Sequence, residues 1–104
     1  DTLRGGGGAD SFVFETATDS MTGQRDVIED FEQGIDLIDV SAIASFAFIG
    51  DAAFEASGAS QLRFVQRNVS SLTVVEGDVD GDGLTDFQVA LTGLLTIQAS
   101  DFVL

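Results

Sequence analysis

Four aspartates within nine residues carry the strongest chemical signal. The segment Asp78-Val79-Asp80-Gly81-Asp82-Gly83-Leu84-Thr85-Asp86 places carboxylates at relative positions one, three, five and nine, with glycine at six. Alternate side chains of such a loop converge on one point, and the glycine makes the sharp turn that lets them do so. The product is a set of hard oxygens suited to calcium. The twelfth position, where a closed calcium loop carries a bidentate Glu, is Val89. The expected site is therefore open and weak, with Asp78, Asp80, Asp82 and Asp86 as ligands and the carbonyl of Leu84 contributing. A plain polar hairpin loop is the competing reading, since Asp-Gly pairs favour tight turns. Against it, four carboxylates crowded together without a cation repel one another.

A second candidate lies at the other end of the chain. Gly5-Gly6-Gly7-Gly8-Ala9-Asp10-Ser11-Phe12-Val13 fits the nonapeptide G-G-x-G-x-D-x-U-x of parallel calcium-binding β-rolls, in which U is a large apolar residue. Glycines allow backbone angles that direct several carbonyl oxygens, here those of Gly5 and Gly7, toward one point. Asp10 adds a carboxylate, and calcium takes six to eight such oxygens. Leu3 lies nine residues before Phe12, so Asp1-Thr2-Leu3 reads as the tail of a preceding turn. A flexible glycine linker leading into a strand is the alternative, but it does not account for apolar residues in register on both sides. With ions held two repeats or ~18 residues apart, Asp10 needs a partner near position 28. Gly23-Gln24-Arg25-Asp26-Val27-Ile28 supplies a degenerate copy there, and Gly34-Ile35-Asp36-Leu37-Ile38 echoes it. The expectation is that Asp26 and Asp30 complete a site with Asp10.

The elements that must position these residues are strands. Leu62 and Phe64 alternate with Arg63, Val65 and Arg67; Leu72 to Glu76 is short and β-branched; Phe87, Val89 and Leu91 alternate with Gln88 and Ala90. That is the period of half-buried strands. Asn68 to Ser70 reads as the turn between the first two, and the acidic loop separates the second from the third. Helical signals are confined to single turns at Ser41–Ser45 and Asp51–Ala56. The fold class is all-β, with connections too short for crossover helices. Leu3, Phe12, Phe14, Phe31 and Ile38 are the expected core of the first part.

Bulk composition narrows the function further. With 104 residues the chain suits one domain, and 44% hydrophobic content is enough to pack a core rather than stay disordered. Eighteen acids against four Arg and no Lys leave a net charge of −14. Such a surface repels phosphates and anionic lipids, which argues against nucleic-acid partners and membrane insertion. It also repels itself unless cations bind. Absence of Cys and His removes thiolate ligands, cysteine nucleophiles, Ser-His-Asp triads and zinc-hydrolase motifs. Two-carboxylate glycosidase chemistry finds no inferable pocket, and calcium ligation already explains the acid spacing. The chain also opens in mid-motif, so it reads as part of something longer.

The sequence ends Ser100-Asp101-Phe102-Val103-Leu104, by pattern alone a last edge strand. Taken with Leu3–Phe14, Asp26–Asp39 and Asp78–Phe87, in that order, it resembles the C-terminal region of serralysin-type RTX (haemolysin-type calcium-binding) secreted bacterial proteins. The resemblance implies the end of a parallel calcium-binding β-roll merging into an antiparallel β-sandwich. Residues 1–104 would form one such domain, 1–40 a residual roll and cap and 41–104 the sandwich. It implies bound Ca2+, an extracellular location, an upstream catalytic domain, and Asp101, Phe102, Val103 and Leu104 as part of an uncleaved signal for a type I (ABC) secretion apparatus. The zinc protease domain of that family is missing, so protease activity is not carried over and the chain itself is not an enzyme. Its expected function is a non-catalytic module that couples folding to extracellular calcium and carries the export signal of a secreted enzyme such as a serralysin-like metalloprotease. The alternative is a carbohydrate (alginate)-binding R-module of a mannuronan C-5-epimerase, with Arg63 and Arg67 on one strand face gripping a polyuronate.

Overall fold

Apolar alternation in short segments bounded by glycine and aspartate turns yields β1 (Thr2–Leu3), β2 (Ser11–Val13), β3 (Asp26–Ile28), β4 (Leu37–Asp39), β5 (Ala47–Phe48), β6 (Gln61–Arg67), β7 (Leu72–Asp78), β8 (Phe87–Thr92) and β9 (Phe102–Val103). The computed structural model describes the backbone of residues 2–3 and all of 10–15, 26–56, 58–67 and 71–104. The turn expected at Asn68–Ser70 and the side chain of Leu3 lie outside the described residues. Regular helix among the described residues is limited to one 3-10 turn, Ala99–Asp101. The class is all-β, as the alternation predicts.

Two sheets face each other. One has six strands in the order β1-β3-β8-β7-β6-β5, the other three in the order β2-β4-β9. Successive strands β1 to β4 alternate between the sheets and pair in parallel with the strand two along, which is the winding of a roll. Thr2 pairs with Val27 and Ser11 with Leu37, so each coil is longer than two nonapeptides. The third coil comes from far along the chain: Val27 pairs with Ala90 and Ile38 with Phe102. Between the second and third coils the chain makes the antiparallel β6-β7-β8 meander. The meander therefore shares a sheet with the roll, and the final strand is a roll strand.

Phe12, Ile38 and Phe102 occupy one row across the small sheet, and all three are buried. Leu62, Phe64, Val75, Phe87, Val89 and Leu91 face them from the large sheet and belong to the same core cluster. Phe14 meets Phe87 edge-on at 5.2 Å, and Phe48 meets Phe102 at 5.3 Å. Phe31 is buried as well. Each such aromatic or aliphatic side chain contributes roughly 1.5–3 kcal/mol by leaving water. Slipping β6 by one residue would exchange Leu62 and Phe64 for Arg63 and Val65, so burial sets its register.

Candidate metal centre

The acidic loop connects β7 to β8 and is anchored by its own carboxylates. Asp78 ends β7 fully buried; one oxygen accepts the Gly81 N–H at 2.9 Å and the other the Gly83 N–H at 2.8 Å. Both glycines have positive φ, +75° and +84°, which is what lets their N–H groups turn back toward Asp78. Asp82 accepts the Leu84 N–H at 2.9 Å, and Asp86 accepts the Val79 N–H at 2.9 Å. Held this way, one oxygen from each of Asp78, Asp80, Asp82 and Asp86 lies within 4.8 Å of the others. Two ligands on opposite sides of a calcium ion are about 4.8 Å apart, twice the usual Ca–O distance. The spread therefore fits one ion.

The electrostatics point the same way. The hydrogen bond from Asp80 to Asp82 pushes the Asp80 carboxyl above its ordinary pKa, with desolvation adding to it. The Leu84 N–H pulls Asp82 below its own. The neighbouring negative charges of Asp82 and Asp86 add a smaller upward push on Asp80, as crowded carboxylates do without a counter-ion. A divalent cation would neutralise that crowding. All donors are hard oxygens, the set that suits calcium or magnesium rather than a softer metal. Leu84 has an exposed side chain, and only its backbone faces the loop's chemistry. Val89 is buried in β8, so the twelfth-position carboxylate is absent here as the sequence predicts.

The glycine-rich candidate is organised differently from the expectation. Gly5 and Gly7 lie outside the described residues. Asp10 lies apart from Asp26 and Asp30 in the sheet order. Asp26 begins β3 in the large sheet, while Asp10 leads into β2 in the small one, and Asp30 follows β3 in a bend. Among the described residues neither joins Asp10 in a cluster of three or more acidic ligands. The cause is coil length. Ser11 pairs with Leu37 instead of a residue two nonapeptides on, and this carries the register past Asp26 to the echo at Gly34–Ile38. Asp10 thus lies beside Asp36. Its N–H donates to Asp36 Oδ1 at 2.9 Å, and its carbonyl accepts the Leu37 N–H at 2.8 Å. Asp10 Oδ2 is buried with no protein partner among the described residues, an orphaned oxygen of the kind a cation would satisfy.

Asp36 is not among the residues that spacing singles out as ligands. It is 1% exposed, and its second oxygen accepts the Glu32 N–H at 3.0 Å. The G-x-D-x-I repeat is its signal in the sequence. At the C-terminus, Asp101 is buried; its Oδ2 accepts the Gln98 N–H at 2.8 Å and a Gln33 amide hydrogen at 3.2 Å. Phe102 is buried, whereas Val103 and Leu104 are exposed.

Arg63 is not an open cationic grip. Its guanidinium pairs with Glu76 at 2.8 Å, donates to the carbonyls of Ala52 at 2.7 Å and Asp51 at 3.3 Å, and lies 5.7 Å over the Phe54 ring. Glu76 in turn accepts from Gln88 at 2.7 Å. Arg67 is exposed at the end of β6.

Comparison with known proteins places these features. A family model described as peptidase M10 serralysin C terminal matches residues 1–104, the whole chain. Among solved structures, the AlgE6R3 subunit of the Azotobacter vinelandii mannuronan C5-epimerase is similar at 28% identity over 99% of this chain and 57% of that one, with a TM-score of 0.68. The AlgE6R2 subunit of the same epimerase is similar at 28% identity over 99% of this chain and 64% of that one, with a TM-score of 0.62. The chain therefore spans less than two thirds of either solved domain. No helix among the described residues is long and apolar enough to cross a membrane.

Proposed function

Because the chain belongs to the peptidase M10 serralysin C-terminal family, an accessory and non-catalytic class of domain, we propose that it is a calcium-responsive folding and export module of a larger secreted bacterial protein. One ion is held by Asp78, Asp80, Asp82 and Asp86 with the Leu84 carbonyl, another by Asp10 with the Gly5 and Gly7 carbonyls. Bound calcium supplies positive charge that cancels carboxylate repulsion. The chain's own residues do the rest: Asp78 keeps the loop closed through Gly81 and Gly83, and Asp36 keeps Asp10 against the second coil. Where calcium is scarce, a chain of net charge −14 stays loose enough to thread through a type I exporter that reads Asp101 to Leu104. In millimolar extracellular calcium, binding energy becomes folding energy. A serralysin-like metalloprotease is the kind of parent this module would serve.

The observation that carries this reading is the loop of four carboxylates, three of them held by backbone N–H groups, with one oxygen from each within 4.8 Å of the others. Its test is far-UV circular dichroism, starting in chelator and adding calcium, with magnesium as control. A cooperative gain of β signal specific to calcium is expected. An unchanged, fully folded spectrum in chelator would sink the coupling.

A second reading, polysaccharide binding, is favoured by the likeness to epimerase subunits over 99% of this chain. Arg63 weakens it, since its hydrogen bonds are spent on Glu76 and two carbonyls; the strand's other cation, Arg67, lies exposed at its end. Saturable binding of oligomannuronate to the calcium-loaded chain, lost in Arg67→Ala, would make this reading the better one.

A further inference from the structure

Between β5 and β6, residues 49–56 and 58–60 run over the outside of the large sheet as a strap. Ile49 and Gly50 still bond to β6, Ile49 N–H to the Leu62 carbonyl and the Gly50 carbonyl to Phe64 N–H. Beyond them Arg63 takes over. Its Nε and Nη2 donate to the Ala52 and Asp51 carbonyls, and its guanidinium plane covers Phe54. Gln61 accepts the Glu55 N–H at 3.0 Å. The far end of the strap then meets the acidic loop at three points. Gly58 N–H donates to the Gly81 carbonyl at 3.0 Å, and the Ser60 hydroxyl donates to the Val79 carbonyl at 2.5 Å. A Cβ added at Gly83 would touch Ala56 at 3.4 Å. At Gly81 the approach is so close that an added Cβ would collide with the Gly58 carbonyl carbon. Backbone thus packs directly on backbone.

We propose that Arg63 is a positioning residue for the acidic loop: it fastens the strap, the strap's Gly58 and Ser60 hold the backbone that carries the four carboxylates, and strap order and calcium affinity are therefore coupled. This rests on the reading of the loop as a calcium site. The geometry gives the coupling its direction. Gly81 and Gly83 supply the N–H groups that aim Asp78, and Val79 supplies the one that aims Asp86. The strap grips those same residues or their peptides, so freeing it lets all three anchors drift. Arg63 touches no ligand, yet its guanidinium fork is what spans Glu76 on one side and the strap carbonyls on the other. By thermodynamic reciprocity, calcium in the loop protects the strap by the same factor by which the strap strengthens calcium.

The test reads the loop directly. The Gly81 and Gly83 amide resonances of the 15N-labelled chain are followed through a calcium chloride titration for the wild type, Arg63→Lys and Ser60→Ala. Lysine keeps an ion pair with Glu76 but cannot fork to Asp51 and Ala52, and Ser60→Ala cuts only the hook on Val79. Thr73→Val serves as control: it removes the hydroxyl that bonds Gly93 and Leu95 at the far end of β7 and reports how far general destabilisation alone moves the midpoint. Arg63→Lys and Ser60→Ala are expected to need about fivefold more calcium than that control, a coupling at the lower end of those usually measured between sites. Midpoints equal to the control's in both variants would overturn the coupling and leave the calcium site standing. If the wild-type Gly81 and Gly83 amides do not respond to calcium at all, or respond equally in Asp82→Asn, the site itself fails and the coupling with it.

Discussion

Asp36 and Asp78 are built to the same local plan and sit in opposite surroundings. Both are essentially inaccessible, and both accept two backbone N–H groups, one on each oxygen. Asp36 joins elements distant in sequence, the Glu32 turn and the start of β2. Asp78 joins residues three and five positions on. The decisive difference is company. Asp78 has three other carboxylates within 4.8 Å, while Asp36 belongs to no acidic cluster among the described residues. A buried aspartate saturated by N–H groups is already neutralised by local dipoles and acts as a fastener. The same aspartate with anionic neighbours is one corner of a site that wants a cation. Burial and hydrogen bonding alone do not mark a metal ligand; the surplus of charge around it does.

The largest effect separates fastener from ligand. Asp36→Ala removes two charge-assisted hydrogen bonds and leaves the Asp10 and Glu32 N–H groups without acceptors, a loss of about 3–4 kcal/mol. Chemical denaturation should show that deficit already at the lowest calcium concentration that keeps the chain folded, with any further loss at higher calcium coming from the ion held at Asp10, which Asp36 positions. A deficit absent at low calcium and appearing only as calcium rises would break the comparison, because it would make Asp36 a ligand and not a fastener.

Asp80→Asn combined with Asp82→Asn should behave in the opposite way. Both side chains are exposed and neither fastens the loop to the sheet. Removing their charge relieves repulsion when calcium is low, so the double variant is expected to melt slightly above the wild type there. As calcium rises, the wild type gains stability by mass action while the variant, with affinity reduced about tenfold or more by loss of two ligand charges, gains less. The two melting curves should therefore cross. Parallel curves would show that the loop takes up no ion in this range.

What the sequence makes legible follows the distance over which partners must find each other. The β6-β7-β8 meander can be read because its alternation is local, and the acidic loop because nine consecutive residues contain every carboxylate. Roll register cannot, since it depends on how far the chain travels between coils. A nonapeptide count points Asp10 at Asp26, whereas the actual coil carries it to Asp36. Phe102 reads as an edge strand and lies on the edge of its sheet, but its partner Ile38 belongs to the first half of the chain. Arg63 reads as a solvent-facing cation because alternation says which face of a strand a side chain takes, not what crosses that face. Here it is the Asp51–Phe54 strap.

A third aspartate bounds the comparison from below. Asp39 accepts both the Ser41 hydroxyl, at 2.6 Å, and the Ser41 N–H, at 3.0 Å, and belongs to no cluster of three or more acids among the described residues. The hydroxyl, and then the N–H, hold its carboxyl below the ordinary value, against a small opposing effect of desolvation. A depressed folded-state pKa means stability that is present above the unfolded-state value and lost as pH falls through the folded one. Ser41→Ala removes the larger of the two causes, so the Asp39 carboxyl should titrate closer to its ordinary value, and the share of acid destabilisation owed to it should shrink. Carboxyl 13C chemical shifts followed through acid titration of calcium-loaded wild type and variant would read this directly. An unmoved Asp39 midpoint would mean that the turn's N–H alone sets the carboxylate. Asp36 and Asp78 are buried, and each accepts a backbone N–H on both of its oxygens, so the same kind of donor holds those carboxylates in place there. The surface turn is where its strength can be measured apart from burial.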